Sequence, residues 1–235
     1  MQLAKFNRNK CNISCRSCFK DFDVVSDNCY RLLRLLNNII DVQKFEVNDL
    51  KLELQCVNIV RLIEDLVLSV VPYTEHKNLN IVFDTNEEEV ITEVDCNKIE
   101  RVFLNLLSNA IKFSKENGNI KVNLEFYENS MVAIIEDDRI GIEDTSIDKI
   151  FEKFTQLDDS LTRNNEGTGI GLSISQAFIK LHKGNIFVDS IIGKGTKFIV
   201  EIPIKYINPT DDIIIVNEKN NIKRGTKIEL SDIYI

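Results

Sequence analysis

The spacing of apolar residues divides this 235-residue chain into a helical beginning, a long mixed part and a polar end. Apolar residues that recur every three or four positions predict amphipathic helices. The predicted helices cover residues 26–47, 58–72, 95–113, 146–151 and 170–181. Alternating or short apolar runs bounded by turn residues predict strands instead. The predicted strands cover residues 50–56, 79–83, 119–127, 130–136, 185–190 and 196–203.

Polar residues suited to capping precede three of the predicted helices. Ser26 or Asp27 precedes the first, Asn58 the second and Asp95 the third, and such side chains accept hydrogen bonds from the free N–H groups of a first turn. Hairpin strands combined with helices indicate an α+β fold, a two-layer sandwich in which helices cover one face of a mixed sheet. The element order lacks the regular strand–helix alternation of a dinucleotide-binding fold.

The same pattern predicts four segments along the chain. Residues 1–25 show no clean periodicity, and residues 26–49 form part of a helical segment. Residues 50–205 form the mixed domain, and residues 206–235 form a polar tail. The total length suits one domain of about 150 residues with a smaller appendage.

Composition narrows the choice of partners and compartment. The formal net charge of −8 argues against nucleic acid as a partner, because phosphate backbones need clustered Lys and Arg. No stretch is long and apolar enough to predict a membrane span or a signal peptide. We therefore expect a cytoplasmic location, with the six cysteines in the reduced form.

The third predicted helix carries the first candidate chemistry. Asn105, Asn109 and Lys112 follow one another at helical spacing on a stripe separate from its apolar face. An asparagine carbonyl suits Mg²⁺, and a lysine one turn later can meet a phosphate. A solvated helix face would explain the same pattern, although asparagine is mildly unfavourable inside helices.

Three further patterns follow along the chain. Asp137 ends a predicted strand and precedes Gly141 in an acidic turn, although acidic turns are common. The sequence 166–175 reads E-G-T-G-I-G-L-S-I-S and opens a helix, where a glycine backbone and a helix amino end can accommodate an anion. A flexible turn into a buried helix explains this motif equally well. The sequence 193–198, G-K-G-T-K-F, taken alone predicts only a hairpin turn.

Taken together and in this order, the four patterns resemble the ATPase superfamily of sensor histidine kinases, gyrase, Hsp90 and MutL. The strings N-L-L-S-N-A-I-K-F-S and I-F-E-K-F-T-Q-L-D-D-S-L-T-R are similar to the N and F boxes of histidine kinases. The resemblance covers about residues 27–205 and implies the ATP-binding (Bergerat) fold, preceded by a partial dimerisation helix. It further implies a kinase of a two-component system with ATP and Mg²⁺ as cofactors, a response regulator as partner and a possible homodimer.

The resemblance also implies the site residues. It places ATP at Asn105, Asn109, Lys112, Asp137, Gly141, Phe154, Gly167, Thr168, Gly169, Gly171, Leu172 and Thr196. By this likeness Asn109 is the Mg²⁺ ligand, and Asp137 binds the adenine amino group. Phe151 and Phe154 anchor a lid over about 155–166, although both would also suit a core.

The sequence departs from the family pattern at two places. The family's phosphate-accepting histidine lies in an H-E-L-R-T-P-like box, and neither His76 nor His182 has that context. We therefore expect a truncation or an internal deletion, and an acceptor histidine on another polypeptide or a missing upstream segment. Arg139 stands where the family has glycine, which predicts weakened ATP affinity because a Cβ hinders close backbone approach.

Two alternatives remain open. A non-catalytic remnant or pseudokinase, acting as a dimerisation or nucleotide-binding module, would account for the missing histidine and for Arg139. Separately, Cys11, Cys15 and Cys18 have the spacing of an iron–sulfur motif, and with Cys29 they could bind zinc.

Overall fold

The computed structural model describes residues 16–47, 49–138, 140–156, 168–207 and 219–233. The helices in these ranges are α1 (Arg16–Glu46), α2 (Ile59–His76), α3 (Cys96–Phe113), α4 (Asp144–Ile147), α5 (Gly171–Leu181) and α6 (Lys219–Glu229). A 3₁₀ helix at Asp148–Phe151 follows α4 directly. The strands are β1 (Gln55–Asn58), β2 (Asn80–Thr85), β3 (Ile91–Val94), β4 (Asn119–Phe126), β5 (Ser130–Asp137), β6 (Asn185–Ile191) and β7 (Gly195–Pro203).

The strands of the described ranges form two sheets. The larger has five strands in the order β2-β4-β5-β7-β6, in which β2 and β4 are parallel and the other pairs are antiparallel. The smaller consists of β1 and β3, which are antiparallel. In the larger sheet Asp137 pairs with Thr196 across β5 and β7. The sheet therefore brings two predicted site residues, far apart in sequence, together at one end of two adjacent strands.

The core lies between the larger sheet and the helices. Strands β4, β5 and β7 alternate buried and more exposed residues, so one face of each strand points into the core. Helix α3 contributes many of the most buried side chains, including Phe103, Leu106 and Leu107, and it packs against α2, α5 and α6. This central position fixes α3 relative to the sheet and to the three helices that pack against it.

The structure confirms the predicted fold class, an α+β arrangement of a mixed sheet and helices. The predicted helix at 95–113 and the four predicted strands after residue 118 lie within one or two residues of α3, β4, β5, β6 and β7. The short helix expected at 146–151 is α4 followed by the 3₁₀ turn. A clear apolar period, with the capping residue Asp95 in the case of α3, was sufficient for these elements.

Four expectations about local structure were wrong. Helix α1 does not begin at Ser26 or Asp27 but already includes Arg16. The strand expected at 50–56 is confined to β1, because the alternating leucines before it lie in an irregular segment. Strand β3 was missed, since four residues are too few to display an alternating pattern. The expected polar tail contains helix α6. Three apolar side chains in and directly after this helix lie in the core: Ile222, Leu230 and Ile233.

No helix within the described ranges has both the length and the apolar character needed to cross a membrane.

Candidate functional site

Helix α3 is fixed at its amino end by the buried carboxylate of Asp95. One oxygen accepts the backbone N–H of Lys98 at 3.1 Å, and the other accepts the backbone N–H of Glu53 at 2.9 Å and the Lys98 ammonium. Burial by itself raises the pKa of this carboxyl, but the hydrogen bonds from Glu53 and Lys98 outweigh it and lower the pKa below its ordinary value. Asp95 is therefore a charged helix cap, and both of its carboxylate oxygens accept hydrogen bonds.

His182 connects the same end of α3 to helix α5. Its Nε2 accepts the backbone N–H of Asp95 at 3.1 Å, so its Nδ1 carries the proton and donates to the Phe178 carbonyl at 2.8 Å. Burial lowers the pKa of His182, which favours this neutral form. Both ring nitrogens are engaged, so His182 has a structural role at the end of α5.

Lys77, the residue directly after α2, caps the carboxyl end of α3. The Lys77 ammonium donates to the carbonyls of Ile111 and Lys112 at 3.0 and 2.9 Å. Carbonyls at a helix carboxyl end have no partner within the helix, and a cation there is favourable. Lys77 thereby fixes the turn that carries the predicted site residues Asn109 and Lys112.

Asn105 lies against the first turn of α5. Its amide nitrogen donates to the Ser175 hydroxyl at 3.0 Å. A Cβ built on Gly171, the first residue of α5, would lie only 2.2 Å from the Asn105 carbonyl oxygen. Glycine at 171 therefore leaves room for the Asn105 amide, which any larger residue would have to displace. This packing brings the amino end of α5 next to Asn105, Asn109 and Lys112, which we call the asparagine stripe of α3.

Asn109 lies one turn after Asn105 and is half-buried. Its side chain makes no hydrogen bond to any residue that the structure describes. The amide oxygen is consequently available to a ligand, and neutral amide oxygens are suitable for Mg²⁺.

Lys112 has a different environment from the one a phosphate-contacting lysine is expected to have. Its side chain is 9% exposed, and its ammonium pairs with the carboxylate of Asp232, a residue 120 positions later in the chain. Burial lowers the pKa of Lys112, and the Asp232 carboxylate partly opposes this effect. The ammonium of Lys112 thus contacts the part of the chain that follows helix α6.

Asp137 and Thr196 occupy facing positions on β5 and β7, and both are buried. The Thr196 hydroxyl is 2.9 Å from the Ser190 hydroxyl. Ser190 also donates to the Gly195 carbonyl at 2.9 Å and accepts the backbone N–H of Ile142 at 2.8 Å. Ser190 therefore connects the end of β6, the start of β7 and the loop after β5.

Gly141 lies in this loop in a conformation that favours glycine. Its φ is +84°, and a Cβ there would lie 2.2 Å from the Ile191 carbonyl oxygen. The loop consequently passes close to the end of β6, on the side of the sheet where β5 ends at Asp137 and β7 begins near Thr196. Any other residue at 141 would strain the backbone and collide with β6.

Phe154 and Gly169 mark the two sides of the segment predicted to form a lid. The Phe154 N–H donates to the Gly169 carbonyl at 2.9 Å, and a Cβ on Gly169, whose φ is +65°, would lie 2.7 Å from the Phe154 carbonyl carbon. Phe154 is 68% exposed, whereas Phe151 packs against the core. A core position is therefore correct for Phe151 and wrong for Phe154. The backbone of Phe154 contacts Gly169, while its side chain faces solvent.

The remaining predicted positions are distributed around the start of α5. The Thr168 hydroxyl accepts the Ile170 N–H at 3.3 Å, and Leu172 packs against the core. Arg139, Gly167 and residues 157–166 of the expected lid lie outside the described residues. So do Cys11 and Cys15; in the described part of the chain no group of three His, Cys, Asp or Glu side chains is arranged to hold a metal.

Sequence reasoning missed three polar residues that contact predicted site residues or the turn that carries them. Ser190 lies in a strand that was predicted without noting its hydroxyl, and Lys77 is separated from α3 along the chain by the two strands β2 and β3. Asp232 was assigned to a tail. None of these positions carries a local motif, and only Ser190, six residues before Thr196 and facing it in register, could have been found from the hairpin geometry.

Comparison with known proteins identifies the family. The family described as histidine kinase-, DNA gyrase B- and HSP90-like ATPase matches residues 94–206. The catalytic domain of histidine kinase ThkA is 30% identical, and the alignment covers 64% of this chain and 97% of that domain, with a TM-score of 0.57. The chain therefore belongs to this ATPase family and contains the ATPase catalytic domain of sensor histidine kinases.

Longer relatives contain this region as one part. Hybrid signal transduction histidine kinase D of Dictyostelium discoideum is 32% identical over 79% of this chain but only 12% of its own length. Sensor histidine kinase WalK of Bacillus subtilis is 30% identical over 77% of this chain and 30% of its own length. The chain thus spans less than a third of these two curated relatives. Full-length ShkA in complex with AMPPNP, at 21% identity and a TM-score of 0.71, shares the fold over 84% of this chain.

Proposed function

We propose that this chain binds Mg-ATP between α3, the end of β5 and the start of α5, and transfers the γ-phosphoryl group to a histidine. The observation that carries the proposal is the asparagine stripe of α3: Asn105 packs against Gly171, while the Asn109 amide is free of described partners. A metal-binding amide next to a helix amino end suits a metal-bound polyphosphate.

Each end of the proposed site would bind a different part of the nucleotide. Asp137, buried at the end of β5, would accept a hydrogen bond from the adenine amino group, with Thr196 beside it. Asn109 would hold Mg²⁺, and the glycine segment from Gly167 to Gly171 would lie along the phosphates. Catalysis would rest on positioning and charge neutralisation.

The acceptor histidine would lie on another polypeptide or on sequence outside these residues. His182 is unsuited, because it is buried and both of its ring nitrogens are hydrogen bonded. A response regulator would be the later acceptor; ThkA has been solved in complex with the response regulator TrrA, at 24% identity to this chain. The exposed apolar side chains of α1, including Leu32, Leu36 and Ile39, would suit a homodimer contact.

Incubation with labelled ATP tests the proposal. We expect Mg²⁺-dependent ATP binding by the chain alone, and labelled phosphate on a histidine-bearing kinase partner when one is added. Binding without any transfer to such a partner would contradict the kinase activity.

A non-catalytic nucleotide-binding or dimerisation module is the second candidate. The pairing of Lys112 with Asp232 favours it, because this lysine is then not available to a phosphate. The two candidates differ in metal dependence: a pocket without function would bind ATP equally with Mg²⁺ or with EDTA, or would not bind it.

A further inference from the structure

The C-terminal segment, residues 219–233, is packed onto the ATPase domain by apolar contacts. Helix α6 contacts α1, α2 and α3. Ile222, Leu230 and Ile233 belong to the hydrophobic core, and the Thr226 hydroxyl is 2.7 Å from that of Ser69 on α2. The family match ends at residue 206. The C-terminal segment is therefore an addition to the matched domain that shares its core.

Two arginines of α1 bind the backbone at the end of this segment. Arg34 donates to the Glu229 carbonyl at 2.8 Å, and Arg31 donates to the Ser231 carbonyl at 3.2 Å. Cations near the carbonyls at the carboxyl end of a helix are favourable. Arg101 of α3 lies 3.4 Å from the buried Glu229 carboxylate. The C-terminal segment thus joins α1 to α3 through charged contacts.

Asp232 brings a negative charge to the asparagine stripe. Its side chain is 3% exposed and pairs with both Lys112 and Arg34. Lys112 lies three residues, less than one helical turn, after Asn109. The Lys112 ammonium already has the Asp232 carboxylate as its counter-ion. An ATP phosphate held near Asn109 would be a second counter-ion, and a buried ammonium gains less free energy from a second anion than from the first.

We infer that the C-terminal segment is an internal competitor of the nucleotide, in which Asp232 withholds the Lys112 ammonium from ATP phosphate and lowers ATP affinity. This inference rests on the proposed function. It adds that ATP binding and docking of the C-terminal segment oppose each other. By linkage the effect is reciprocal, so Mg-ATP must weaken the docking as much as the docking weakens Mg-ATP binding.

Equilibrium binding of Mg-ATP to the full chain and to Asp232→Asn tests the competition. The substitution keeps the shape and removes the charge, and we expect about tenfold tighter binding, within the usual range of coupling between two sites. Glu229→Gln is the matched control, because it removes a buried charge from the same segment without touching Lys112. We expect its affinity to stay within about twofold of the unchanged protein. Equal or weaker binding by Asp232→Asn, or an equal gain in Glu229→Gln, would overturn the inference.

Hydrogen exchange on the unchanged chain provides a second readout that needs no variant. We expect Mg-ATP to increase amide exchange in residues 219–233, because bound nucleotide releases the segment. Unchanged or slower exchange there, at saturating Mg-ATP, would overturn the inference. Asn109→Ala separates this failure from failure of the proposed function. If Asn109→Ala binds Mg-ATP normally, the proposed site is wrong; if it loses binding while Asp232→Asn gains nothing, only the competition is wrong.

Discussion

The two ends of helix α3 differ in how completely their polar side chains are bonded. At the amino end, Asp95 accepts hydrogen bonds from Glu53 and Lys98, and its own N–H is bound by His182. In the carboxyl half, the Asn109 side chain has no partner among the described residues. One end is thus built for stability, and the other keeps a polar group available.

This difference explains how one helix can serve both the core and a binding site. A free amide costs little while it is half in contact with water, but it must be held still to bind a metal. The bonded amino end, together with the Lys77 cap at the carboxyl end, fixes the helix. We therefore expect substitutions at the two ends to separate loss of stability from loss of binding.

The largest effect should follow from Asp95→Ala. The change removes a buried charged acceptor and leaves the N–H groups of Glu53 and Lys98 without their partner, and we expect a loss of about 3 kcal/mol in the free energy of unfolding. Urea denaturation measures it. Asn58→Ala is the control, because Asn58 caps α2 with a single 3.3 Å bond, and it should lose about 1 kcal/mol. Equal losses in both variants would remove the distinction between the two caps.

Asn109→Ala should have the opposite profile. We expect Mg-ATP binding to weaken about ten- to hundredfold, because a ligand of the metal is lost, while the urea midpoint stays unchanged. Isothermal titration with and without Mg²⁺ provides the measurement. Asn97→Ala, an exposed asparagine in the first turn of the same helix, is the matched control and should bind normally. An Asn109 variant that binds as tightly as the control contradicts the proposed site.

The sequence was sufficient where the determinants are local. Asp95 followed by a strict helical period predicts α3, and the alternation in β4, β5 and β7 predicts the sheet face. Helix α6 was not predictable in this way, because it is mostly polar and has Gly225 in its middle. Its stability comes from packing against α2 and α3, which no local pattern reveals. For the same reason the partner of Lys112, 120 residues away, could not be inferred.

The two glycines on helices that contact α3 test how closely its neighbours must pack. Gly171→Ala places a Cβ 2.2 Å from the Asn105 oxygen, and we expect a loss of about 1–2 kcal/mol in unfolding free energy with weaker Mg-ATP binding. Gly225→Ala meets its nearest atom, Leu104 Cδ1, only at 3.5 Å. It should stabilise the chain by about 0.5–1 kcal/mol, because alanine favours a helix. Denaturation of both variants checks the opposite signs, and a stabilising Gly171→Ala would contradict the close contact.

The smallest expected effect is the dependence of stability on acidic pH, through His182 at the amino end of α3. Burial lowers the pKa of His182 below its ordinary value of 6.5. The unfolded chain then binds the proton at a higher pH than the folded chain does. The stabilisation is therefore complete above pH 6.5, is lost as the pH falls through the folded-state pKa, and changes by at most about 1.4 kcal/mol per pH unit for one proton. Urea midpoints of the unchanged chain should consequently fall from neutral pH towards pH 5, and His182→Gln should remove this histidine's share of the fall. If His182→Gln keeps the full acid dependence, the neutral imidazole does not hold α3 and α5 together, and the stability of that end must come from Asp95 alone.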